Sequence, residues 1–152
     1  MKTTKLLFVT ILAFATSIRV PVIGVVGEPN PENTGDMTES VITSRYVRWI
    51  ESAGGSVVAV HPWYSESQID DLFTKVNGFL FQGGGRNLTL SGTFEKTSAY
   101  IMKKSMEIYE KEGKIVPVWG TCQGFQLMHL IIIGKEDLDT FDGWRYPSSI
   151  NI

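Results

Sequence analysis

The chain has one cysteine, two histidines and no run of lysine or arginine in its 152 residues. A single cysteine, Cys122, excludes a disulfide within the chain, and with it the small secreted folds that cystines hold together. A net charge of -2 without a basic run argues against nucleic acid or an anionic membrane as a partner. Internal repeats, low-complexity segments and domain linkers are also missing. What remains is an ordinary globular composition, 43% hydrophobic and 20% charged, at a length that fits one domain.

The amino terminus stands apart. Lys2 and Lys5 form a short positive region, Leu6 to Phe14 an apolar stretch broken only by Thr10, and Ala13-Phe14-Ala15 an A-x-A cleavage site. The apolar stretch is too short to span a bilayer. Residues 1–15 therefore read as a signal peptide, with a secreted chain beginning near Thr16. On that route the one cysteine stays a free thiol, which hints at a reactive role. Asn87-Leu88-Thr89 is an N-x-T sequon beside a glycine run, so Asn87 is a candidate glycan acceptor if it lies on an exposed loop.

Val20 to Val26 is a continuous β-branched run, the mark of a strand buried on both faces. Gly27 to Gly35, rich in proline, asparagine and glycine, predicts a loop at that strand's carboxyl end. From about Thr38, residues Ile42, Tyr46, Trp49, Ile50 and Ala53 recur at helical spacing until Gly54-Gly55 stops them. Ser56 to Val60 is a second strand. Ser65 opens a helix with Gln68 as its capping-box partner, and Ile69, Leu72, Phe73 and Val76 form its core face. Gly78 to Phe81 is a third strand, followed at once by Gly83-Gly84-Gly85. Phe94 to Glu112 is a longer helix whose Met102, Met106 and Tyr109 share a face, the methionines as core filler.

Ile115 to Val118 reads as a fourth buried strand and Phe125 to Ile133 as an apolar helix, which places Cys122 at a strand-to-helix turn between Gly120 and Gly124. This is the layout of a nucleophile elbow. The nucleophile takes a strained backbone conformation, and a side chain two residues before or after it would collide with the crossing backbone. The positive end of the following helix also favours the thiolate, the form that attacks carbonyl carbon. A lone cysteine is more often a small buried hydrophobe, and G-x-C-x-G arises by chance; the flanking strand and helix favour the nucleophile. Strands alternating with helices imply an α/β fold, a three-layer doubly wound parallel sheet with the site at the strands' carboxyl ends. Residues 134–152 carry four acidic residues and no periodicity. Residues 16–152 are expected to be a single α/β hydrolase domain truncated after the nucleophile helix.

Four stretches resemble the gamma-glutamyl hydrolases, folate-polyglutamate-cleaving members of the class I glutamine amidotransferase-like superfamily. They are Pro21 to Gly24, Ser44 to Gly54, Val76 to Gly84 without Gln82, and Pro117 to Phe125. The elbow alone defines the superfamily; Tyr46-Val47-x-x-Ile50-Glu51-Ser52-Ala53-Gly54 with Trp119-Gly120-Thr121-Cys122 points to this family. The resemblance implies a cysteine hydrolase without metal or cofactor, secreted or lysosomal/vacuolar, acting on folate poly-gamma-glutamate and compatible with a homodimer. It implies Cys122 as the nucleophile that forms a thioester. It also implies an oxyanion hole from the backbone N–H of Gln123 with that of Gly84 or its neighbour. Arg86, just past the loop, is a candidate to meet a substrate carboxylate, or else a solvated surface charge.

Three departures from the family stand out. Gln82 replaces the usual proline, which predicts a less rigid oxyanion loop. Gln126 replaces the usual glutamate and is typical of the amidotransferases. The family's catalytic histidine has no counterpart, since His129 is two helical turns past Cys122, about 10 Å along the axis, and His61 follows the second strand. Two alternatives therefore stand beside the hydrolase: a glutaminase-type amidotransferase domain, and a non-catalytic homologue that only binds ligand.

Overall fold

The computed structural model describes residues 20–30, 39–136 and 138. The expected signal peptide and most of residues 134–152 lie outside them. In chain order the elements are β1 (Val22–Val26), β2 (Glu28–Pro29), β3 (Ser40–Val41), α1 (Ser44–Ser52), β4 (Ser56–Val60), α2 (Glu66–Phe73), β5 (Gly78–Phe81), α3 (Thr93–Glu112), β6 (Val118–Gly120) and α4 (Gln123–Ile133).

The β-branched run of β1 lies inside a four-stranded parallel sheet of order β4-β1-β5-β6, with Val25 opposite both Ala59 and Leu80. With flanking helices, this is the expected α/β architecture. Because all four strands run the same way, the segments after β1, β4, β5 and β6 leave from one edge of the sheet. Gly27, His61, Gln82 and Thr121 begin those segments.

The apolar core is built on one face of the sheet. Val26, Val60, Phe79 and Phe81 pack with Ile69 and Phe73 of α2, Phe94, Ile101 and Met102 of α3, and Leu127 of α4. At about 25 cal/mol per Å² of apolar surface, each fully buried phenylalanine here contributes roughly 2 to 3 kcal/mol. The α2 start matches its sequence signal: Ser65 N–H donates to Gln68 Oε1 at 2.9 Å, and Gln68 N–H reaches back to Ser65 Oγ at 3.4 Å. Tyr100 Oη and Lys104 Nζ both reach Asp70 Oδ1, at 2.9 and 3.0 Å, tying α3 to α2. Gly54 adopts φ 85 just past α1, as the left-handed stop required.

Several expectations are corrected. The helix predicted from about Thr38 starts at Ser44, and the segment read as a loop contains β2, which pairs antiparallel with β3. The extended backbone before α1 is held by contacts across the sheet edge, which local periodicity cannot register. No residue of α1 is buried. The fourth strand is Val118–Gly120 rather than Ile115 to Val118; Pro117 contributes a carbonyl that accepts from Phe79 N–H at 2.9 Å. Of the α3 residues expected to share a core face, only Met102 is buried. Met106 and Tyr109 line an open apolar groove of about 310 Å³ with Ile115 and Val118, along the sheet's β6 edge. Among the described residues no helix is long and apolar enough to cross a membrane.

Candidate active site

Cys122 is exposed and has φ 52, ψ -114, the one positive φ outside glycine among the described residues. Such a conformation costs of order 1–3 kcal/mol and persists only where its surroundings enforce it. Here β6 ends at Gly120 and α4 begins at Gln123, so the chain reverses within two residues. Thr121 N–H donates to Phe81 O of β5 at 3.1 Å, and Gly124 N–H to Thr121 O at 2.9 Å, which fixes the turn from both sides. The two flanking glycines are needed for close approach. A Cβ on Gly120 would lie 2.6 Å from Gly124 O, and one on Gly124 would run into Phe81 O. The N–H groups of Gln123 and Gly84 donate to no other described residue.

The glycine loop after β5 faces the elbow. Gly83 N–H donates to Tyr46 Oη at 2.9 Å, and a Cβ on Gly83 would stand 3.0 Å from Cys122 Cβ. The expectation that Gln82 loosens this loop is corrected. Its side chain is buried and makes three hydrogen bonds: Oε1 accepts from Thr43 N–H at 2.9 Å, and Nε2 donates to Val41 O at 2.7 Å and to Val26 O at 3.3 Å. A proline restrains its own φ and the residue before it, whereas this amide ties β1, β3 and the start of α1 to the loop.

Behind Gly84 lies a second polar group. Gln123 Nε2 donates to Arg86 O. Glu28 Oε1, Gln123 Oε1 and Arg86 Nε are buried without a partner among the described residues. Both carboxylate oxygens of Glu28 and the Gln123 carbonyl crowd the position a Gly84 side chain would take. Burial raises the Glu28 carboxyl above the usual glutamate value; the Arg86 guanidinium opposes this and the Glu95 carboxylate adds to it. A pKa raised by folding favours the folded state below the unfolded value, and that contribution is lost as pH rises through the folded value. Glu28→Gln, which cannot ionise, should therefore match the parent's urea midpoint in acid and exceed it at neutral pH. A gap between the two midpoints that stays constant with pH would contradict this.

Cys122 opens onto a cavity of about 700 Å³ lined by Thr43, Arg45, Tyr46, Trp49, Gly83, Gly84, Trp119 and Thr121. The structure brings Cys122 and Gly84 to one cavity, with Gly120 and Gly124 flanking the Cys122 turn. It places Arg86 half-buried and outside this cavity. Its Nη1 donates to Pro29 O at 2.9 Å, and it lines a different cavity of about 400 Å³ with Gln126 and Glu136. Asn87 is exposed at that second cavity. His61 Nδ1 is 2.9 Å from Ser40 Oγ, and its ring stacks on Trp63 at 5.7 Å; His129 is an exposed α4 residue. Neither ring reaches the Cys122 cavity. No group of acidic, cysteine and histidine side chains suited to a metal ion occurs among the described residues.

Sequence reasoning gave Tyr46 and Glu28 no role at the site and read Gln82 only as a loss of rigidity. Tyr46 carries only a helical-spacing signal and a place in the family resemblance, and Glu28 lies in a stretch that reads as a loop. The one available signal was Gln82, a long amide where proline was expected directly before the glycines.

Comparison with known proteins fits this geometry. Residues 21–136, from just before β1 to just past α4, match the Peptidase C26 family model. The gamma-glutamyl hydrolase of Mus musculus is 36% identical over 122 residues, covering 80% of this chain and 38% of that protein. The Homo sapiens gamma-glutamyl hydrolase is 37% identical over 94 residues, 62% of this chain and 29% of that one. Gamma-glutamyl hydrolase 1 of Arabidopsis thaliana is 32% identical over 138 residues, 86% and 38% of the two chains. The matched region thus spans well under half the length of these relatives. Since the family match includes every strand of the sheet and the whole Cys122 turn, the chain belongs to the Peptidase C26 family.

Proposed function

We propose that this chain carries the nucleophile half of a gamma-glutamyl hydrolase, with Cys122 attacking the γ-carbonyl carbon of a γ-linked glutamate in folate polyglutamates. The observation that carries the reading is the strained Cys122 backbone at the sheet's carboxyl edge, with the free N–H groups of Gln123 and Gly84 beside it. The thiolate is the form of a cysteine that attacks carbonyl carbon. Attack forms the C–S bond and moves the carbonyl π pair onto oxygen, where backbone N–H donors stabilise it; each such donor is worth roughly 3 kcal/mol in the transition state. Collapse of the oxyanion breaks the bond to the leaving group and leaves a thioester, which water then hydrolyses.

The same reading takes residues 1–15 as a signal peptide, Asn87 as a glycan acceptor and the secretory, lysosomal or vacuolar route as the location. The Ala13-Phe14-Ala15 cleavage pattern after the apolar stretch supports it, as does the exposure of Asn87. The test is positional. The purified chain is offered N-benzoylglutamate activated as its nitrophenyl ester at either the γ- or the α-carboxyl. A thioester on Cys122, read by mass spectrometry of the trapped chain, should form from the γ-ester in clear preference. Equal labelling from both esters, or none, would remove the substrate assignment.

A further inference from the structure

Tyr46 does more at the elbow than fill space. Its phenol oxygen accepts the Gly83 N–H at 2.9 Å, which removes that amide from the donors available to a substrate. A hydroxyl has one proton and two lone pairs, so an oxygen that accepts this hydrogen bond still has its own proton to give. Among the described residues no acceptor takes it. The phenol oxygen and Cys122 Cβ border the same methyl-sized space, 2.6 and 3.0 Å from a Cβ placed on Gly83, and both residues line the cavity in front of the sulfur.

Gln82 accounts for this placement. Tyr46 lies in the first turn of α1, and its N–H donates to Thr43 O at 3.0 Å. Thr43 N–H in turn donates to Gln82 Oε1, and Gln82 directly precedes Gly83. One buried side chain thus sets both the first turn that presents the phenol and the loop amide that orients it.

We propose that Tyr46 is a further oxyanion donor, its O–H directed at the carbonyl oxygen of the group Cys122 attacks, and that Gln82 is the residue that positions it. The inference rests on Cys122 being the nucleophile. Tyr46 keeps its proton throughout and shares it with the oxygen while that oxygen carries the displaced π pair. When the C=O bond re-forms, the leaving group departs with the electron pair of its own broken bond.

The test compares two reactions of Cys122 in the 152-residue chain. Acylation by the γ-nitrophenyl ester of N-benzoylglutamate passes through an oxyanion; alkylation by iodoacetamide, a displacement at saturated carbon, does not. Tyr46→Phe should slow acylation roughly 100-fold, the loss typical of one oxyanion donor, and leave the alkylation rate alone. Gln82→Ala should produce a smaller loss with the same selectivity, and the double variant should be no slower than Tyr46→Phe, since Gln82 acts through Tyr46. The urea midpoint checks that each variant folds, and if Tyr46→Phe does not, the selectivity of Gln82→Ala decides. Unchanged acylation, or equal losses in both reactions, overturns the role given to Tyr46 while leaving Cys122 as nucleophile. Absence of Cys122-dependent acylation in the unsubstituted chain overturns the nucleophile assignment, and the oxyanion donor with it.

Discussion

Offered an activated γ-glutamyl ester and a γ-glutamyl amide, the 152-residue chain should turn over the ester and leave the amide intact. The reason is the leaving group. A nitrophenolate departs without a proton, whereas an amine must be protonated as the C–N bond breaks, and a positioned imidazole usually supplies that proton. The chain has only two histidines. His61 is hydrogen-bonded to Ser40 and stacked on Trp63, and His129 is on α4, seven residues beyond the sulfur. Missing acid–base assistance costs about 10²–10⁴ in rate, enough to hide amide turnover beneath the background of a typical assay. Cys122→Ala, the control, should abolish ester turnover as well. Amide hydrolysis at an enzymatic rate that vanishes in Cys122→Ala would sink this account, and His61→Ala would then identify the acid.

A second large effect is expected at Gly124. Its Cβ position is occupied by backbone, with Phe81 O nearest and Gln82 O at 2.9 Å. Flexible side chains can rotate away from an added methyl, but these carbonyls belong to the end of β5 and the start of the glycine loop. Gly124→Ala must therefore push α4 off the sheet or pull the loop away from Cys122. Overpacking of a well-packed site typically costs 1–3 kcal/mol, and a collision with backbone belongs at about 3 kcal/mol or above. The measurement is the urea midpoint together with ester acylation. A folded Gly124→Ala chain that acylates at the parental rate would show that the elbow tolerates a side chain there. Gly85→Ala is a suitable control, because nothing stands within 4 Å of its Cβ position.

Three strands of the parallel sheet, β1, β4 and β5, were legible in the sequence because each is a short run with a strong local cause. The β-branched residues of β1 and the apolar Gly78 to Phe81 stretch can satisfy their side chains only inside a sheet. The capping box of α2 and the left-handed Gly54 are equally local. Legibility failed where a segment's conformation is decided by a partner far along the chain. Residues 40–41 carry no strong strand signal and became β3 by pairing with Glu28–Pro29 and through the Gln82 amide. Helical spacing placed Met106 and Tyr109 with Met102, but spacing reports which residues share a face, not whether anything covers it.

At the site the division follows the same cause. The strained Cys122 turn was legible in the chain alone, because the glycines, the cysteine and the flanking strand and helix are contiguous and the steric demand acts within five residues. So was the parallel sheet, and hence the edge on which the functional loops meet. The surroundings of the sulfur came from contacts across the fold. Tyr46, Gly83 and Cys122 meet from three separate segments, Gln82 proved to be a fastener rather than a weakness, and Arg86 turned into a different cavity. Those outcomes depend on hydrogen bonds between groups 37 to 57 residues apart. Such bonds form only after the sheet has brought their strand ends together, so no local pattern in the chain encodes them.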